Sequence, residues 1–303
     1  MTTNQAIHTI PTQAAKVILS AGTIPTAQIA LASGLKLHND LVGRGLIDHA
    51  IYAVRFARKS HANGSKDPML FQTYIDLFKS LGPPVRALLT VTINNNFFLA
   101  GKTILPISQY LSHDGTTIAP AHGKVDMVDH DYDTIAILIE FGASLVEDNE
   151  VLNSPTPHPV IRLKRHELHS SEEEQCEMQN LATSVRNSVI EKIFYPDIDS
   201  NKGNAPILVP GPLPTQEKAP RLTLLPSGIF AHEVGTMRMP TPTGQGSVVT
   251  DNLLVKGFEN LYACDASVLP YSVEANPSLT LTAITLRLAD HLTATNNTIN
   301  PQA

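Results

Sequence analysis

Three polar side chains near the C-terminus have the types and spacing needed to act on a hydroxyl group. His232 lies in the segment Ala-His-Glu-Val-Gly-Thr, Asp265 follows a short apolar run, and Asn276 directly precedes Pro277. A neutral imidazole can take the proton of a hydroxyl group, and a carboxamide can hydrogen-bond the same oxygen. The residue types are suited to a proton-abstracting site with His232 as the base and Asn276 as the orienting group, and equally to a loop-bonded histidine and a helix N-cap.

The elements around these residues are expected to place them at strand and helix ends. Residues 261–264 are apolar and predict a short strand that ends at Asp265. Ligands bind outside the carboxyl ends of strands in open α/β sheets, which makes Asp265 a candidate ligand-binding residue. Pro277 suits a first helical position, because its φ is fixed and its missing N–H is not needed there. The amides and dipole of that helix would form a small positive field after Asn276.

A second block near the N-terminus predicts half of a parallel βα unit. Residues 16–20 are typical of a short buried strand, 21–23 of a tight turn, and Pro25 onward of a helix. The helix is expected to stop at Ser33 and Gly34, since glycine can adopt the left-handed conformation of a helix cap.

These blocks resemble the glucose-methanol-choline (GMC) oxidoreductases in both residues and order. The matching segments read AGTIPTAQIALASGL, HEVGTMRM, NLYACDASVLP and ANPSLTLTAITLRLADHL, and residues 42–49 match the family's Val-Gly-x-x-Leu-x-Asp-His turn. The resemblance implies an FAD-dependent oxidoreductase that oxidises the CH–OH group of an alcohol or sugar-like donor by hydride transfer to flavin.

The resemblance also assigns roles to single residues. In the family the histidine of His-x-x-Gly-Thr faces the substrate hydroxyl, which implies that His232 is catalytic, and Asn276 would place this chain in the His/Asn type. The family's Ala-Gly-Thr turn packs beside the adenosine of FAD, its Asp-Ala-Ser contacts the ribityl and phosphate region, and the helix after Asn-Pro starts at the flavin. The implied FAD-binding residues are Ala21, Gly22, Asp265, Ala266, Asn276, Pro277 and Ser278.

Each of these residues also has an ordinary structural interpretation. His232 could be a histidine bonded within a loop, Asn276 could act only as a helix N-cap, and Asp265 could cap a turn. Arg238 and Arg287 could touch phosphate, but charges on the surface or on a helix face are the more ordinary interpretation. The apolar rows of the last helix, which include Leu279 and Leu286, predict core packing.

The glycine fingerprint of a complete FAD-binding domain is missing from this sequence. Neither the glycine pair at 43 and 45 nor the pair at 244 and 246 completes Gly-x-Gly-x-x-Gly after a strand. The chain therefore resembles the C-terminal portion of a GMC protein, whether through a shortened gene model, a split gene or a truncated product. Strands without sheet neighbours would favour self-association or an N-terminal partner chain.

The predicted fold class is α/β with mixed α+β character and an interrupted domain order. Residues 1–35 and 227–303 would form an incomplete Rossmann-like FAD-binding part, and residues 36–226 a substrate-binding domain with a mostly antiparallel sheet. Strands are predicted at 51–57, 134–141 and 159–164. A long helix is predicted at 170–194 from the apolar positions Met178, Leu181, Ala182, Val185, Val189 and Ile193, with Ser170 or Ser171 as its N-cap.

Composition excludes several other classes of protein. The 303 residues, with 42% apolar content, a net charge of −6 and 12 dispersed histidines, predict a soluble globular chain without a nucleic-acid-binding patch or a metal site. No apolar run of membrane-spanning length and no signal-peptide pattern is present. Cys176 and Cys264 are too few for a disulfide framework, and Cys264 is expected to pack as a small apolar residue.

Two functions remain open at this point. One is a flavin-dependent alcohol oxidase or dehydrogenase that acts on a small-molecule alcohol. The other is a catalytically silent fragment, or a non-enzymatic subunit that pairs with a separate N-terminal half. The missing glycine loop is the feature that separates them.

Overall fold

The structure is a computed structural model. The described residues are 15–59, 67–79, 84–95, 110–111, 132–156, 158–163, 172–190, 192, 196–198, 208–210, 222–226, 228, 232–241, 244 and 246–299. In chain order the strands are β1 (Val17–Leu19), β2 (Ala50–Lys59), β3 (Met69–Leu77), β4 (Val85–Ile93), β5 (Tyr110–Leu111), β6 (Tyr132–Phe141), β7 (Ala143–Ser144), β8 (Glu150–Leu152), β9 (Val160–Arg162), β10 (Pro196–Ile198), β11 (Leu208–Pro210), β12 (Thr223–Leu224), β13 (Leu261–Ala263) and β14 (Tyr271–Ser272). The α-helices are α1 (Thr23–Ala32), α2 (Glu172–Val189) and α3 (Ser278–Ile299), and short 3-10 helices span Leu35–Leu37 and Ala266–Val268.

The chain divides into two compact units that interleave along the sequence. The first unit contains Met1–Asp48, Ala143–His166 and Phe230–Ala303, and the second contains His49–Gly142 and Glu167–Ile229. Residues 36–48 and 143–166 thus lie in the first unit, although the sequence suggested that they belong with the substrate part. Backbone hydrogen bonds from Val151 N to Gly43 O and from Gly45 N to Asn149 O, both 2.8 Å, join these two segments. Which unit binds cofactor and which binds substrate stays a prediction.

The first unit is organised around a short parallel pair of strands. β1 pairs in parallel with β13 from Val17 and Leu261 to Leu19 and Ala263. α1 follows β1 directly and buries Ala27, Ala30 and Leu31 in an apolar cluster that also contains residues of β13 and α3. The predicted order of strand, turn and helix is therefore confirmed. The prediction that the strand is buried is wrong, because Ile18 is 45% exposed and its two neighbours in β1 are only half-buried.

The start of α1 differs by two residues from its prediction. The helix begins at Thr23 rather than at Pro25, because Gly22, with φ +98°, already turns the chain into the helix. Pro25 still lies in the first turn, where a missing N–H removes no helical hydrogen bond. The helix stops at Ser33 as predicted, and Gly34 adopts the left-handed conformation with φ +77°.

The second unit contains a six-stranded sheet that is mostly antiparallel. Its strand order is β12-β2-β6-β4-β3, all of these neighbours are antiparallel, and β5 pairs in parallel with β2. β2 and β6 contain the strands predicted at 51–57 and 134–141 and are largely buried. The predicted α+β character and antiparallel sheet are confirmed. The strand predicted at 159–164 shortens to β9, which pairs with β8 and belongs to the first unit.

The helix predicted at 170–194 is observed as α2 over 172–189. Its predicted apolar row is buried at Met178, Ala182, Val185 and Val189, while Leu181 is half-buried. The two predicted N-cap serines and Ile193 lie outside the described residues.

α3 packs on the core along one row of side chains only. Leu288 is buried, and Ile284 and Leu292 pack against the same cluster. Leu279 and Leu286 are 83% and 62% exposed, so the prediction that this second row is core packing is wrong. One face of α3 packs on the apolar cluster of the first unit. No described residue buries the face that contains these two leucines.

Candidate functional site

The parallel pair of strands brings two motifs to one edge of the first unit. β1 leads into Ala21 and Gly22, and β13 leads into Asp265, so the carboxyl ends of both strands point the same way. Cys264 N donates to Leu19 O at 2.8 Å, and Ser20 Oγ donates to Cys264 O at 2.9 Å. Cys264 itself is buried, as expected of a small apolar residue.

The Asp265 carboxylate lies at the centre of this edge and joins its two motifs. Its Oδ2 accepts hydrogen bonds from Gly22 N at 2.9 Å and from Thr26 Oγ1 at 2.5 Å. Its Oδ1 accepts one from Ser267 N at 2.9 Å and caps the 3-10 helix at 266–268. Ala21 N donates to Thr26 Oγ1 at 2.9 Å, which closes the cluster. Turn capping by Asp265 is therefore present, together with a bond across the chain to α1.

The His232 loop is fixed to the same region by its backbone. Val234 forms an antiparallel bridge with Ile47, with N–H···O distances of 2.8 and 3.3 Å. Thr236 Oγ1 donates to Thr23 O at 2.7 Å, and Thr23 Oγ1 donates to Glu233 O. His232 is half-buried at the start of this loop. The first turn of α1 thus carries contacts to both the Asp265 motif and the histidine motif.

Gly235 allows the loop to approach a neighbouring turn closely. It has φ +101°, and a Cβ placed there would lie 2.3 Å from Gly45 O and 2.5 Å from a Leu145 methyl carbon. Gly45 has φ +84°, and a Cβ there would lie 2.5 Å from a guanidinium nitrogen of Arg238. These glycines serve close packing of backbone and side chain.

Arg238 is a buried structural residue rather than a surface charge or a phosphate contact. Its side chain is 1% exposed, and its guanidinium donates to Gly246 O and Arg44 O at 3.0 Å and to Glu147 Oε1 at 2.5 Å. The surface interpretation of Arg238 is therefore wrong. Arg287, by contrast, is an exposed residue of α3 that donates to Asp251 O at 2.6 Å.

The carboxyl group of Glu233, in the His232 loop, has a raised pKa. Burial raises the pKa of the Glu233 carboxyl above its ordinary value of 4.5, its own backbone N–H lowers it, and the nearby Asp48 carboxylate raises it further. The Ile47–Val234 bridge explains the proximity, since Asp48 and Glu233 are the next residues along the two paired segments.

Asn276, Pro277 and Ser278 lie at the start of α3. Pro277 is buried, Asn276 and Ser278 are exposed, and Leu281 N donates to Pro277 O at 2.8 Å as the helix begins. The amides ahead of Leu281 precede the helical ladder and can bind an electron-rich oxygen. The helix starts at Ser278, one residue after the predicted first position at Pro277. The proximity of Asn276 to His232 stays a prediction.

Two groups of the first unit have the chemistry to hold a flavin dinucleotide. The Ser267 hydroxyl is fully buried and has no hydrogen-bond partner among the described residues, so it can bond a ligand oxygen. The first-turn amides of α3 can donate hydrogen bonds to a negatively charged oxygen. Ala21 N, Gly22 N and both Asp265 oxygens already make hydrogen bonds within the chain, and Ala266 O accepts one from Leu269 N at 3.1 Å. Direct contact of these groups with a cofactor stays a prediction.

Several residues of the site escaped sequence reasoning. The sequence analysis assigned no role to four hydroxyl residues inside the motifs, namely Thr23, Thr26, Thr236 and Ser267. Their signal was a hydroxyl residue recurring beside a motif glycine or aspartate, which is too common a pattern to interpret without coordinates.

The described part of the chain shows neither a metal-binding cluster nor a membrane-spanning helix. No group of three or more His, Cys, Asp or Glu side chains there is arranged to hold a metal ion. None of the helices seen there combines the length and apolarity required to span a membrane.

Comparison with known proteins relates this chain to a class of oxidoreductases and to one family within it. Residues 208–285 match the family model described as GMC oxidoreductase. A pyranose dehydrogenase of Agaricus campestris is 24% identical over 294 residues, which covers 84% of this chain and 46% of that protein. By these findings, residues 208–285 match the GMC oxidoreductase family, and the chain is similar to the C-terminal portion of that family.

Solved structures show the same fold. One is a formate oxidase of Aspergillus oryzae RIB40 in which an arginine is replaced by alanine, a mutation studied for its effect on FAD modification. It superposes with a TM-score of 0.54 at 16% identity, and the match covers 95% of this chain and 55% of that one. Another formate oxidase structure gives the same TM-score, identity and coverage. The chain spans about half the length of these relatives.

Proposed function

We propose that this chain supplies the C-terminal part of an FAD-dependent oxidoreductase that oxidises the CH–OH group of an alcohol or sugar-like donor. The main support is the first turn of α1, which bonds both Asp265 and the His232 loop. Two motifs that lie far apart in the sequence are therefore joined by hydrogen bonds in the first unit. The match to the family model and the named relatives support oxidoreductase chemistry of this kind.

Each side chain has a defined task in this proposal. His232 takes the hydroxyl proton of the donor, and Asn276 holds the same oxygen by a hydrogen bond. Bound FAD would supply the hydride acceptor. The Ser267 hydroxyl and the α3 amides bind cofactor oxygens, while Asp265 keeps both motifs in register.

The experiment starts with colour. Protein purified with added FAD should show flavin absorbance near one flavin per chain, and anaerobic addition of an alcohol or sugar should bleach it. His232→Ala should abolish bleaching and keep the colour, because it removes the base but not the cofactor contacts. His158→Ala, at an exposed position, is the matched control. Bleaching that survives in His232→Ala would reject His232 as the base.

A second function is favoured by the exposed apolar surface of the first unit. Ile18 is 45% exposed in a two-stranded parallel sheet, Leu279 and Leu286 are exposed on α3, and the chain spans half of its relatives' length. Parallel strands are normally covered on both faces, so these residues could receive a separate N-terminal half or a second copy of the chain. The chain would then be a silent fragment or a subunit that binds no flavin alone.

These two functions differ in their measured outcomes. Colourless protein that takes up no added FAD supports the second function. If the chain self-associates through this surface, Ile18→Lys and Leu286→Lys should each reduce the particle mass measured by light scattering. A monomer that binds one FAD would exclude the need for a second polypeptide.

A further inference from the structure

The backbone after His232 is joined to the start of α1 by two reciprocal hydrogen bonds. Thr236 Oγ1 donates to Thr23 O at 2.7 Å, and Thr23 Oγ1 donates to Glu233 O. Both threonines are buried, at 0% and 6% exposure. The two bonds run in opposite directions between the same segments and are called the threonine clasp below.

The Thr23 hydroxyl does not cap its own helix. A threonine at a helix N-terminus usually accepts a hydrogen bond from an amide of the first turn. The N-cap of α1 is Gly22, with no side-chain bond, and the Thr23 hydroxyl donates to a carbonyl 210 residues further along the chain. The Thr236 hydroxyl also leaves its own segment, to a residue 213 positions away. Both hydroxyls therefore act between segments.

The clasp holds the peptide next to His232. Glu233 O is its acceptor, so the backbone one residue from the histidine is fixed against α1. The bridge between Val234 and Ile47 fixes the next residue of the same segment. These two contacts fix the backbone directly after His232. The preferred orientation of a side chain depends on the backbone dihedrals, so the contacts also restrict the orientation of the His232 side chain.

We propose that Thr23 and Thr236 are positioning residues for His232, which set the orientation of its imidazole through the threonine clasp. The role of His232 as a base rests on the proposed function. The orientation of its ring is measurable without flavin or alcohol.

Hydroxyl-specific variants test this inference. Thr236→Val removes the hydroxyl at similar volume, and Thr236→Ser keeps it. The readouts are amide hydrogen exchange over residues 233–236 and the imidazole NMR signal of His232, assigned with His232→Gln and followed through a pH titration. Thr236→Val should accelerate exchange about fivefold, the effect of one lost hydrogen bond, and should shift the His232 signal and its titration midpoint. Thr236→Ser should restore both.

The matched control is Thr282→Val on α3. Thr282 Oγ1 donates to Ser278 O at 2.9 Å, so the variant also loses one hydroxyl-to-carbonyl bond in the first unit. It should leave the His232 signal unchanged. If Thr236→Val does not fold, Thr23→Val removes the other bond of the clasp and is read in the same way.

Two results separate this inference from the proposed function. In one result, Thr236→Val lowers the stability but leaves the NMR signal and titration of His232 as in the unsubstituted chain. The clasp would then be purely structural, and the inference would be overturned. A His232 signal that responds to Thr236→Val, in a protein whose flavin bleaching survives His232→Ala, would retain the clasp and overturn the proposed role of His232.

Discussion

The Asp265 carboxylate accepts a 2.9 Å hydrogen bond from the amide of Gly22, a residue 243 positions earlier in the chain. α1 has no acidic residue in its first turn and no side-chain cap of its own. The carboxylate therefore supplies, from another segment, the negative charge and the acceptor that a helix N-terminus favours. The same group caps the 3-10 helix at 266–268. One side chain thereby ties the end of β13 to the start of α1.

Asp265→Ala should lower the free energy of unfolding by about 3 kcal/mol, because three donors lose a charged acceptor. Asp265→Asn should cost less, since one oxygen acceptor remains. Urea unfolding measures both. Asp290→Asn, at an exposed position of α3, is the control and should change stability by under about 0.5 kcal/mol. Equal stabilities of Asp265→Ala and this control would contradict the capping role.

Gly235→Ala should destabilise the first unit by more than its backbone conformation alone explains. Its φ of +101° penalises any Cβ, and that Cβ would also lie 2.3 Å from Gly45 O. Gly257→Ala isolates the first effect, because Gly257 has φ +90° with no atom within 4 Å of the added Cβ. We expect about 1 kcal/mol for Gly257→Ala and at least about 2 kcal/mol more for Gly235→Ala. Thermal and urea unfolding would show equal losses if the close approach were unimportant.

The fold was predictable where the pattern was local. Residues 16–34, 51–57 and 134–141 carry apolar runs and glycine turns that specify a strand or a helix over a few residues. The hairpin of β3 and β4 was not predicted. β3 presents Leu70, Phe71 and Tyr74 half exposed, so its burial does not follow the alternation that identifies a strand.

The site was predictable in its motifs but not in its contacts. Arg238 looks like a surface charge because most arginines are exposed, and only the approach of residues 44, 147 and 246 buries it. Leu279 and Leu286 look like core residues because helical periodicity does not reveal how many faces of a helix are covered. Such outcomes depend on contacts between segments that lie far apart in sequence.

Arg238 and Glu147 should respond very differently to substitution although they form one ion pair. Arg238→Met should cost about 3 kcal/mol, since it removes a 1% exposed guanidinium that donates hydrogen bonds to the carbonyl groups of Arg44 and Gly246. Glu147→Gln should cost less than about 1 kcal/mol, because this side chain is 48% exposed and its amide oxygen still accepts. The comparison is made by urea unfolding, and equal losses would mean that the charge pair dominates.

Glu233→Gln should become progressively more stabilising as the pH rises. Burial raises the pKa of the Glu233 carboxyl, so the folded chain holds this proton more tightly than the unfolded chain. Folding stability therefore falls as the pH rises from the ordinary pKa of 4.5 to the raised folded pKa. Below that window the carboxyl is protonated in both states. Unfolding free energies of the two proteins should diverge above pH 4.5, and parallel profiles would contradict the raised pKa.

Asp48→Asn provides the control for that profile. Its charge is the smaller of the two contributions that raise the pKa of Glu233, after burial. The pH dependence attributable to Glu233 should therefore shrink in Asp48→Asn without vanishing. Complete loss of the effect would assign it to the Asp48 charge alone.

Tyr52→Phe should leave the second unit as stable as before or about 1 kcal/mol more stable. The Tyr52 hydroxyl is buried and has no hydrogen-bond partner among the described residues, and burial raises the pKa of this phenol to about 12. Phenylalanine keeps the edge-to-face contact with Phe141, whose ring centroid lies 5.9 Å away. Tyr74→Phe, at a 54% exposed position, is the neutral control. A loss of 1 kcal/mol or more in Tyr52→Phe by urea unfolding would mean that the hydroxyl is bonded in solution.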